Sequence, residues 1–465
     1  MEHIKQKPDF EGILGDKRLE RRAEMISSSL LVSRSSIIHS ATKSEAEQKG
    51  FYRFLGNESV KESSLISEMT QRCSKNAVGR EVLVIQDSSS MGLSKNAKNI
   101  KPASGLGLVG NKLGLGFLSH VSLVLDANNE SILGFCDLQL WNRTSDKSNN
   151  TTRIYKTEPI EEKESYKWIK ASNKAKENLA QATHITIIQD REGDIYEQFC
   201  LIPDHRTSLI IRSRDNRRLA DGSKLYSVLK EAPVLGEYLL SLPADLRKNK
   251  NKRVVEMEVR YQKVSIKKPT KGVSKGIIEE KELYVIEVKE KNNDTKDCIC
   301  WRLLTDQVTL SLEEALMVVY RYKQRWYIEQ LFRLLKKQGF QIEDSPLETG
   351  WAIRKLFILV LNTALRVMQL YLAYGKEDSQ EISEVFDHQE IHCLTAIEKN
   401  HLPKTNKTSN PYSKNKLSWA SWIIARLGGW KGNCKSQLAG PIIIKRGLDK
   451  FENIYQGWKL AAFET

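Results

Sequence analysis

Three acidic residues, Asp87, Asp190 and Glu329, are the side chains in this sequence best placed to hold a divalent cation. Two apolar runs end in the same way, with Val-Ile-Gln before Asp87 and Ile-Ile-Gln before Asp190. An aspartate at the end of a buried strand lies at the rim of a sheet, where it can bind a cation without being fully removed from water. Glu329 would reach the same rim from a helix. Carboxylate oxygens without Cys or His suit Mg²⁺, and Mn²⁺ can substitute.

A carboxylate site of this kind predicts chemistry on a phosphodiester. Paired ions activate a water or a 3′-hydroxyl on one side of the phosphorus and stabilise the leaving oxygen on the other. Each aspartate alone is weak evidence, because an aspartate after a strand is also a common turn residue. The prediction of a metal site therefore depends on the two strand ends and the helix taken together.

The segment that carries Glu329 predicts one amphipathic helix from Tyr322 to Lys336. At roughly 100° per residue, an arc of roughly 80° holds Tyr322, Arg325, Glu329, Arg333 and Lys336. The opposite side is apolar, with Tyr327, Ile328, Leu331, Leu334 and Leu335. One acid flanked by three cations and a phenol is typical of a metal-binding carboxylate beside a polyanion. The alternative is a solvated face with an i,i+4 pair of Arg325 and Glu329, worth ~0.3 kcal/mol.

The elements that must position these residues predict an α+β or mixed-sheet fold. Residues 9–75 have the pattern of short helices, with a capping box at Ser44 and Glu47. Strand patterns then precede and follow a helical stretch, which is the element order of a mixed sheet. Residues 214–297 predict a β-rich insertion, and the chain is mostly helical from Leu312 onward. The predicted strands are Val82–Ile85, Phe117–Leu125, Ile132–Leu140, Ile185–Ile188, 208–213, 255–261, 283–288 and 298–305.

The composition indicates a polyanionic partner. The chain has 465 residues with 40% hydrophobic content, enough for two or three domains. Its 73 Lys and Arg against 58 Asp and Glu give a formal net charge of +15. Such an excess favours nucleic acid over a membrane surface. Solubility alone is the alternative, because the charge is spread along the chain.

Cysteine and histidine usage argues against a zinc site. The seven cysteines are scattered without a Cys-x-x-Cys pair, which indicates reduced thiols in the cytosol. His120 has no ligand partner at a suitable spacing, so a structural histidine is expected. The N-terminus lacks the apolar core of a signal peptide. We also expect no segment to approach the ~20 apolar residues of a membrane helix.

The motifs resemble those of a known enzyme family. Tyr322, Arg325, Glu329 and Lys336 have the spacing of the Tyr-(2)-Arg-(3)-Glu-(6)-Lys signature of cut-and-paste DDE transposases from bacterial insertion sequences. The chain is most similar to the Tn-five type of the IS-four family, over nearly its whole length. Further matching segments are Leu-Gly-Asp-Lys-Arg near the N-terminus, Tyr-Arg-Phe-Leu at 52–55, and those at 163–168, 190–194, 301–305 and 426–429.

The resemblance implies a role for each matched residue. Asp87, Asp190 and Glu329 would be the catalytic metal ligands of an RNase H-like core. Arg212 would contact DNA from the strand at 208–213. Trp301 would stack on a base flipped out near the cleaved end, which would return ~1–3 kcal/mol of the lost stacking; core packing is the alternative for this side chain. The remaining DNA contacts would be Tyr322, Arg325, Arg333 and Lys336.

One position departs from the family pattern. Arg333 stands where the family leads us to expect lysine. Both side chains are cations, yet the planar guanidinium binds phosphate through two hydrogen bonds, whereas the lysine ammonium acts as a point charge. Charge is kept there, while the contact geometry differs.

The implied activity is metal-dependent cut-and-paste transposition of double-stranded DNA. Its steps would be nicking at the transposon's inverted-repeat ends, hairpin formation, hairpin resolution and strand transfer into a target. The implied parts are an end-recognition domain (1–75), a catalytic core (76–375) and a helical dimerisation domain (376–465), acting as a synaptic homodimer. The expected location is the bacterial cytoplasm, on the nucleoid when bound to DNA, with no membrane partner.

Two other functions stay open at this point. A transposase-derived regulator would keep the fold and bind DNA without cutting it, and inverted repeats flanking the gene would argue against that. A structure-specific nuclease would cut without needing a particular end sequence.

Overall fold

The computed structural model describes residues 8–33, 35–93, 100, 104–109, 114–143, 158–242, 253–292, 295, 298–336, 339–401, 409–431 and 439–462. The helices of this described part are α1 Lys17–Ser33, α2 Ile38–Ala41, α3 Glu45–Gly56, α4 Glu62–Asn76, α5 Tyr166–Asn178, α6 Tyr196–Leu201, α7 Leu225–Glu231, α8 Leu312–Lys323, α9 Trp326–Leu335, α10 Gly350–Ala373, α11 His388–His401, α12 Leu417–Leu427 and α13 Pro441–Ala462. The strands are β1 Glu81–Gly92, β2 Gly107–Val109, β3 Gly114–Asp126, β4 Ile132–Trp141, β5 His184–Gln189, β6 Thr207–Arg212, β7 Gly236–Leu242, β8 Arg253–Lys267, β9 Glu280–Glu290 and β10 Cys300–Thr305.

One mixed sheet organises the chain. Its order is β2-β3-β1-β5-β6-β10-β9-β8-β7, with β4 paired to β3. Strands β5 and β6 run parallel to β1, whereas β3 and β4 are antiparallel to their neighbours. The order β4-β3-β1-β5-β6 in these directions is that of an RNase H-like core, so the predicted α+β fold is confirmed.

Apolar side chains on both faces explain why the central strands read as continuous hydrophobic runs. In β1, Leu83 and Ile85 belong to the hydrophobic cluster that contains α10, while Val82 and Val84 belong to the cluster that contains Trp168 of α5. The alternation follows from the two-residue period of a strand. The sheet therefore separates two helical layers.

The described part of the predicted β-rich insertion contains α7 and three strands. β7, β8 and β9 are consecutive antiparallel neighbours, and β9 pairs with β10. Because β10 also pairs with β6, these strands extend the central sheet. The predicted domain boundaries remain a prediction.

The predicted end of β1 is wrong. The sequence placed Asp87 at a strand end, yet β1 continues to Gly92. Parallel pairing with β5 stops at Ile85 opposite Ile188, whereas antiparallel pairing with β3 continues as far as Gly92 opposite Gly116. Asp87 thus lies within β1, at the point where one neighbouring strand ends and the other goes on.

The predicted single helix from Tyr322 to Lys336 is also wrong. Helix α8 ends at Lys323 and α9 begins at Trp326. The backbone N–H of Arg325 donates to the carbonyl of Tyr322 at 3.0 Å, an i→i−3 bond of the 3₁₀ type that tightens the chain between the helices. The predicted apolar side is confirmed in α9, because the side chains that face inward are fully buried, namely Ile328, Leu331, Leu334 and Leu335.

The expectation about membrane-length segments is wrong for α10. This helix has 24 residues and contains an 18-residue stretch with a mean hydropathy of 1.7, so by length and composition it is able to cross a membrane. In the fold, 89% of that stretch is buried. It packs against α1, α3, α4, α9, α12 and α13. A helix that is hydrophobic all round and surrounded in this way is the central core helix of the protein.

Candidate active site

Asp87 and Asp190 come together because they hold the same position on neighbouring parallel strands. Ile85 pairs with Ile188 in the β1–β5 ladder, and each aspartate lies two residues further on. Asp190 follows β5 and caps a 3₁₀ turn, accepting a 2.8 Å hydrogen bond from the Glu192 N–H. Asp87 accepts a 2.7 Å hydrogen bond from the Ser88 N–H. Backbone donors therefore orient both carboxylates.

All three predicted acids line a single cavity of about 530 Å³. The wall is formed by Asp87, Ser88, Asp190, Arg191, Arg212, Tyr322, Arg325, Glu329 and Phe332. The cavity lies where the end of β5, the middle of β1 and the start of α9 meet. The fold thus brings together Asp87 and Glu329, which are 242 positions apart in the sequence.

Burial makes the two aspartates hard to ionise together. The pKa of Asp87 is raised from 3.8 to about 7 by burial and then by the negative charge of Asp190, with Arg325 opposing the shift. Burial also raises the pKa of Asp190. Like charges in a buried site disfavour ionisation unless a cation compensates them. The electrostatics of the cavity therefore favour cation binding.

Arg325 supplies part of that compensation. Its Nη1 lies 3.3 Å from Oδ2 of Asp87, and its Nη2 donates to Oε1 of Glu329. The i,i+4 pair that the sequence offered as the alternative exists, but the guanidinium also reaches the first aspartate. Charge pairing raises the pKa of Arg325 although burial opposes it. Arg325 therefore links two of the three acids.

The three carboxylates are suitable ligands for a hard divalent cation. In the structure, two of them, Asp87 and Glu329, contact Arg325. Asp87, Asp190 and Glu329 offer carboxylate oxygens alone, as Mg²⁺ or Mn²⁺ prefer. Within the described ranges, however, no three His, Cys, Asp or Glu side chains are grouped closely enough to hold an ion. Glu329 is held by Arg325, so it would join the aspartates once that contact is released.

Two more of the predicted DNA-contacting residues lie in the cavity wall. Arg212 ends β6, and its Nη2 donates to the Cys300 carbonyl at 3.1 Å. Tyr322 is 4% exposed, and its ring centroid is 6.0 Å from the guanidinium carbon of Arg325. Burial lowers the pKa of Arg212, which indicates a partly desolvated cation. Such a cation can meet a phosphate with little competition from water.

The other three predicted contacts lie outside the cavity wall. Trp301 is half-buried on β10, and its ring meets Tyr322 edge to face with centroids 5.8 Å apart. Arg333 is exposed on α9, and Lys336 follows the end of that helix. At 1.5 Å per residue they lie roughly 6 and 10 Å along the chain from Glu329. Their predicted roles concern the surface beside the cavity and remain predictions.

Ser88 is a cavity residue that the sequence did not single out. Its Oγ lies 2.8 Å from Nδ1 of His120, which is fully buried and edge-on to Trp168 at 4.5 Å. Burial, with the nearby charge of Lys167, lowers the pKa of His120 to about 3, so this ring stays neutral. His120 thus contacts Ser88 through Nδ1, whereas among the described residues its Nε2 has no hydrogen-bond partner; the structural role of His120 stays a prediction.

Glu130 is a second residue that sequence reasoning missed. It lies in the turn between β3 and β4, with a positive φ of 60°, and is 7% exposed. Its carboxylate accepts hydrogen bonds from Tyr320 and Lys376, and from Gln324 and Tyr327 at 3.1 and 3.2 Å. It thereby holds the turn between α8 and α9 that carries Arg325. An acid in an Asn-rich turn predicts exposure, so the sequence contains no signal for this role.

Comparison with known proteins matches two parts of this chain to transposase family models. Residues 10–60 match the family model described as transposase DNA-binding, and residues 166–365 match the model described as transposase DDE domain. The second match contains Asp190 and Glu329 and begins after Asp87. Among solved structures, the piggyBac transposase synaptic complex with hairpin DNA is similar at 10% identity over 96% of this chain and 73% of that chain, with a TM-score of 0.37. The two family matches show that this chain carries the DNA-binding and DDE domains of a transposase.

Proposed function

We propose that the protein is a cut-and-paste DNA transposase of the Tn-five type. The observation that carries this proposal is the single cavity in which Asp87, Asp190 and Glu329 meet Arg212, Arg325 and Tyr322. Three acids could hold metal ions, and the basic and phenolic side chains beside them could hold a phosphodiester. A sheet rim with both groups is suited to cutting and joining DNA strands.

The three acids would hold Mg²⁺, with Mn²⁺ able to substitute. When bound, paired ions activate the attacking oxygen and stabilise the leaving oxygen in line with it. Arg212 and Arg325 would position the phosphate between those oxygens. Because a phosphate competes for the guanidinium of Arg325, the arrival of DNA would release Glu329 to join Asp87 and Asp190. The cavity would therefore assemble its ligand set as the substrate binds.

The same site would serve successive steps. It would nick at the transposon end, direct the freed 3′-hydroxyl to the opposite strand to form a hairpin, open the hairpin and transfer the strand to target DNA. Trp301 would stack on the flipped base, and Arg333 and Lys336 would contact the adjoining backbone. We further propose a synaptic homodimer, located in the bacterial cytoplasm and on the nucleoid. The net charge of +15 supports a DNA partner.

The decisive experiment incubates the purified protein with DNA carrying its own element ends, with Mg²⁺. We expect nicked and hairpin products from the wild type. The variants Asp87→Ala, Asp190→Ala and Glu329→Ala should lose cutting and keep specific end binding, because phosphate and base contacts hold the DNA. Glu313→Ala, which changes an exposed acid at the start of α8, is the matched control and should cut normally.

The result also separates the other candidate functions. Cutting that ignores the end sequence would indicate a structure-specific nuclease. End binding without any cutting by the wild type would indicate a regulator. Affinity for end DNA should fall by about 10³ to 10⁵ between 50 and 200 mM salt if 6–10 phosphates are contacted.

A further inference from the structure

Two glutamines precede the two aspartates of the site, and both are completely buried. Gln86 lies in β1 and Gln189 ends β5, and each is 0% exposed. Buried amides are uncommon unless they are hydrogen-bonded, because an unpaired polar group in an apolar surrounding is costly. The repeated Gln-Asp ending noted in the sequence therefore places two polar groups where apolar side chains would be expected.

The two amides bond to each other across the parallel strands. Nε2 of Gln189 donates to Oε1 of Gln86 at 2.6 Å and lies 3.2 Å from Oγ of Ser172. Ser172, on α5, also accepts from Nε2 of Gln198 at 2.6 Å and donates to the Trp168 carbonyl at 2.9 Å. The network joins β1 and β5 to α5 and α6.

The glutamines and the aspartates face opposite sides of the sheet. Successive side chains of a strand alternate between its faces, so Gln86 points toward α5 while Asp87 points into the cavity. Gln86 and Gln189 directly follow Ile85 and Ile188, the last pair of the parallel ladder, and each lies one residue before an aspartate. A bond between the two glutamines therefore fixes how far β1 can slide past β5. That offset in turn sets the separation of the Asp87 and Asp190 carboxylates.

A glycine brings the Asp190 turn into contact with this network. A Cβ on Gly193 would lie 2.4 Å from Oε1 and 2.7 Å from Cβ of Gln189. The 3₁₀ turn that Asp190 caps consequently packs directly on the Gln189 amide. Gln189 thus contacts both the partner strand and the turn that orients the second aspartate.

Stability does not account for the pair. The surrounding cluster on this face is apolar, with Val84, Ile187 and Trp168 among its members. Within the described residues, Nε2 of Gln86 and Oε1 of Gln189 have no hydrogen-bond partner. Two apolar side chains of similar size would leave no such groups unpaired and would be close to neutral or stabilising. Two apolar side chains would not form a directional bond. They would therefore resist a small sliding movement of β1 along β5 only weakly.

We propose that Gln86 and Gln189 are positioning residues that set the Asp87–Asp190 separation and thereby the affinity of the site for divalent cations. The inference rests on the proposed function, since it takes these aspartates to be metal ligands. Supporting groups behind metal ligands typically change metal affinity by 10- to 100-fold when replaced. Neither glutamine touches the cation or the DNA in this proposal.

The test replaces each amide by an apolar side chain of nearly the same shape. Gln86→Met, Gln189→Met and the double variant are compared with the wild type for Mn²⁺ binding by calorimetry on the complex with pre-cleaved end DNA, corrected for Mn²⁺ binding to the DNA alone. We expect each single variant to weaken Mn²⁺ binding by about 10-fold or more. The double variant should be no weaker than the weaker single variant, because both changes remove the same bond. Melting temperature and end-DNA binding without metal should stay close to the wild type.

Gln198→Met is the matched control, because it changes a buried amide of the same network that adjoins no aspartate. It should leave Mn²⁺ affinity unchanged. The proposal is overturned if the Gln86 and Gln189 variants bind Mn²⁺ like the wild type, or if Gln198→Met weakens binding equally. A wild type that neither binds Mn²⁺ nor cuts end DNA would instead overturn the proposed function and this inference with it. If the Met variants do not fold, Gln86→Leu and Gln189→Leu provide the same comparison.

Discussion

Arg325 and Asp87 are 238 residues apart in the sequence, yet Nη1 of the arginine lies 3.3 Å from Oδ2 of the aspartate. The same guanidinium also binds Glu329. One guanidinium therefore holds a strand acid and a helix acid together. Its position explains how the fold keeps Asp87 and Glu329 near each other.

The first prediction concerns Arg325→Ala. The variant should still make the first nick, because the acids that would hold the metal ions remain. Hairpin formation should fall by about 100-fold, since that step bends DNA and depends strongly on positioning. The measurement is the ratio of hairpin to nicked product on end DNA over time. Arg325→Lys should recover only part of the ratio, because an ammonium lacks the guanidinium fork. Normal hairpin yields from Arg325→Ala would show that Arg325 only forms ion pairs with Asp87 and Glu329 and does not position the DNA.

The second prediction concerns pH and Asp87. Its pKa rises from 3.8 in the unfolded chain to about 7 in the fold, chiefly by burial. The folded protein therefore binds more protons than the unfolded chain between these values. Stability of the metal-free protein should consequently fall as pH rises from 4 to 7, by up to about 4 kcal/mol. Thermal melts in chelator at pH 4 and pH 8 measure the difference.

Asp87→Asn is the control for that effect. The amide cannot ionise, so the variant should lose most of the pH dependence and melt higher than the wild type at pH 8. Cutting by the wild type should show the opposite trend and rise with pH through about 7, because the carboxylate must lose its proton to bind a cation. An equally steep loss of stability in Asp87→Asn would assign the effect to another group.

The sequence predicted the strands and the proximity of Asp87 to Asp190 for an identifiable physical reason. Buried parallel strands give continuous apolar runs, so β1, β5 and β6 were visible as short hydrophobic segments. The identical Gln-Asp endings placed Asp87 and Asp190 in equivalent positions, and adjacent parallel strands then brought them together. The local hydrophobic pattern was sufficient to predict where a strand ends, except where pairing with a neighbouring strand makes the strand longer.

Non-local contacts account for what the sequence did not predict. β1 runs past Asp87 because β3 pairs with it as far as Gly92, which a single strand pattern does not reveal. The break between α8 and α9 coincides with Gln324, whose side chain is held by Glu130 from a distant turn. The periodicity of the segment remained helical, so the break had no local signal. The sequence placed Arg325 beside Glu329, but the contact of Arg325 with Asp87 requires the tertiary fold.

The third prediction concerns Glu130. Removing this buried carboxylate would leave Lys376 and two tyrosine hydroxyls without their acceptor, so Glu130→Ala should cost about 3 kcal/mol of stability. The pKa of Tyr320, raised to about 12 by burial and by Glu130, should fall in the variant. Urea unfolding measures the first effect, and ultraviolet titration of the tyrosines measures the second. Lys376→Met is the comparison, because it removes one donor and leaves the others in place. Unchanged stability in Glu130→Ala would show that the turn between α8 and α9 is held by packing alone.

The last prediction concerns Trp301. Its ring lies edge-on to Tyr322, whose own ring lies in the cavity wall, so Trp301 sits directly behind the proposed phosphate-binding residues. If Trp301 turns outward to stack on a flipped base, Trp301→Ala should reduce hairpin yield while the first nick is retained, because it removes a stacking contact of about 1–3 kcal/mol. Trp301→Phe keeps an aromatic face and should recover much of the yield. A fluorescent base analogue at the flipped position reports the stacking directly, and its signal should rise in the Ala variant alone. If Trp301→Ala has a lower melting temperature and a normal hairpin yield, Trp301 instead serves to pack against Tyr322.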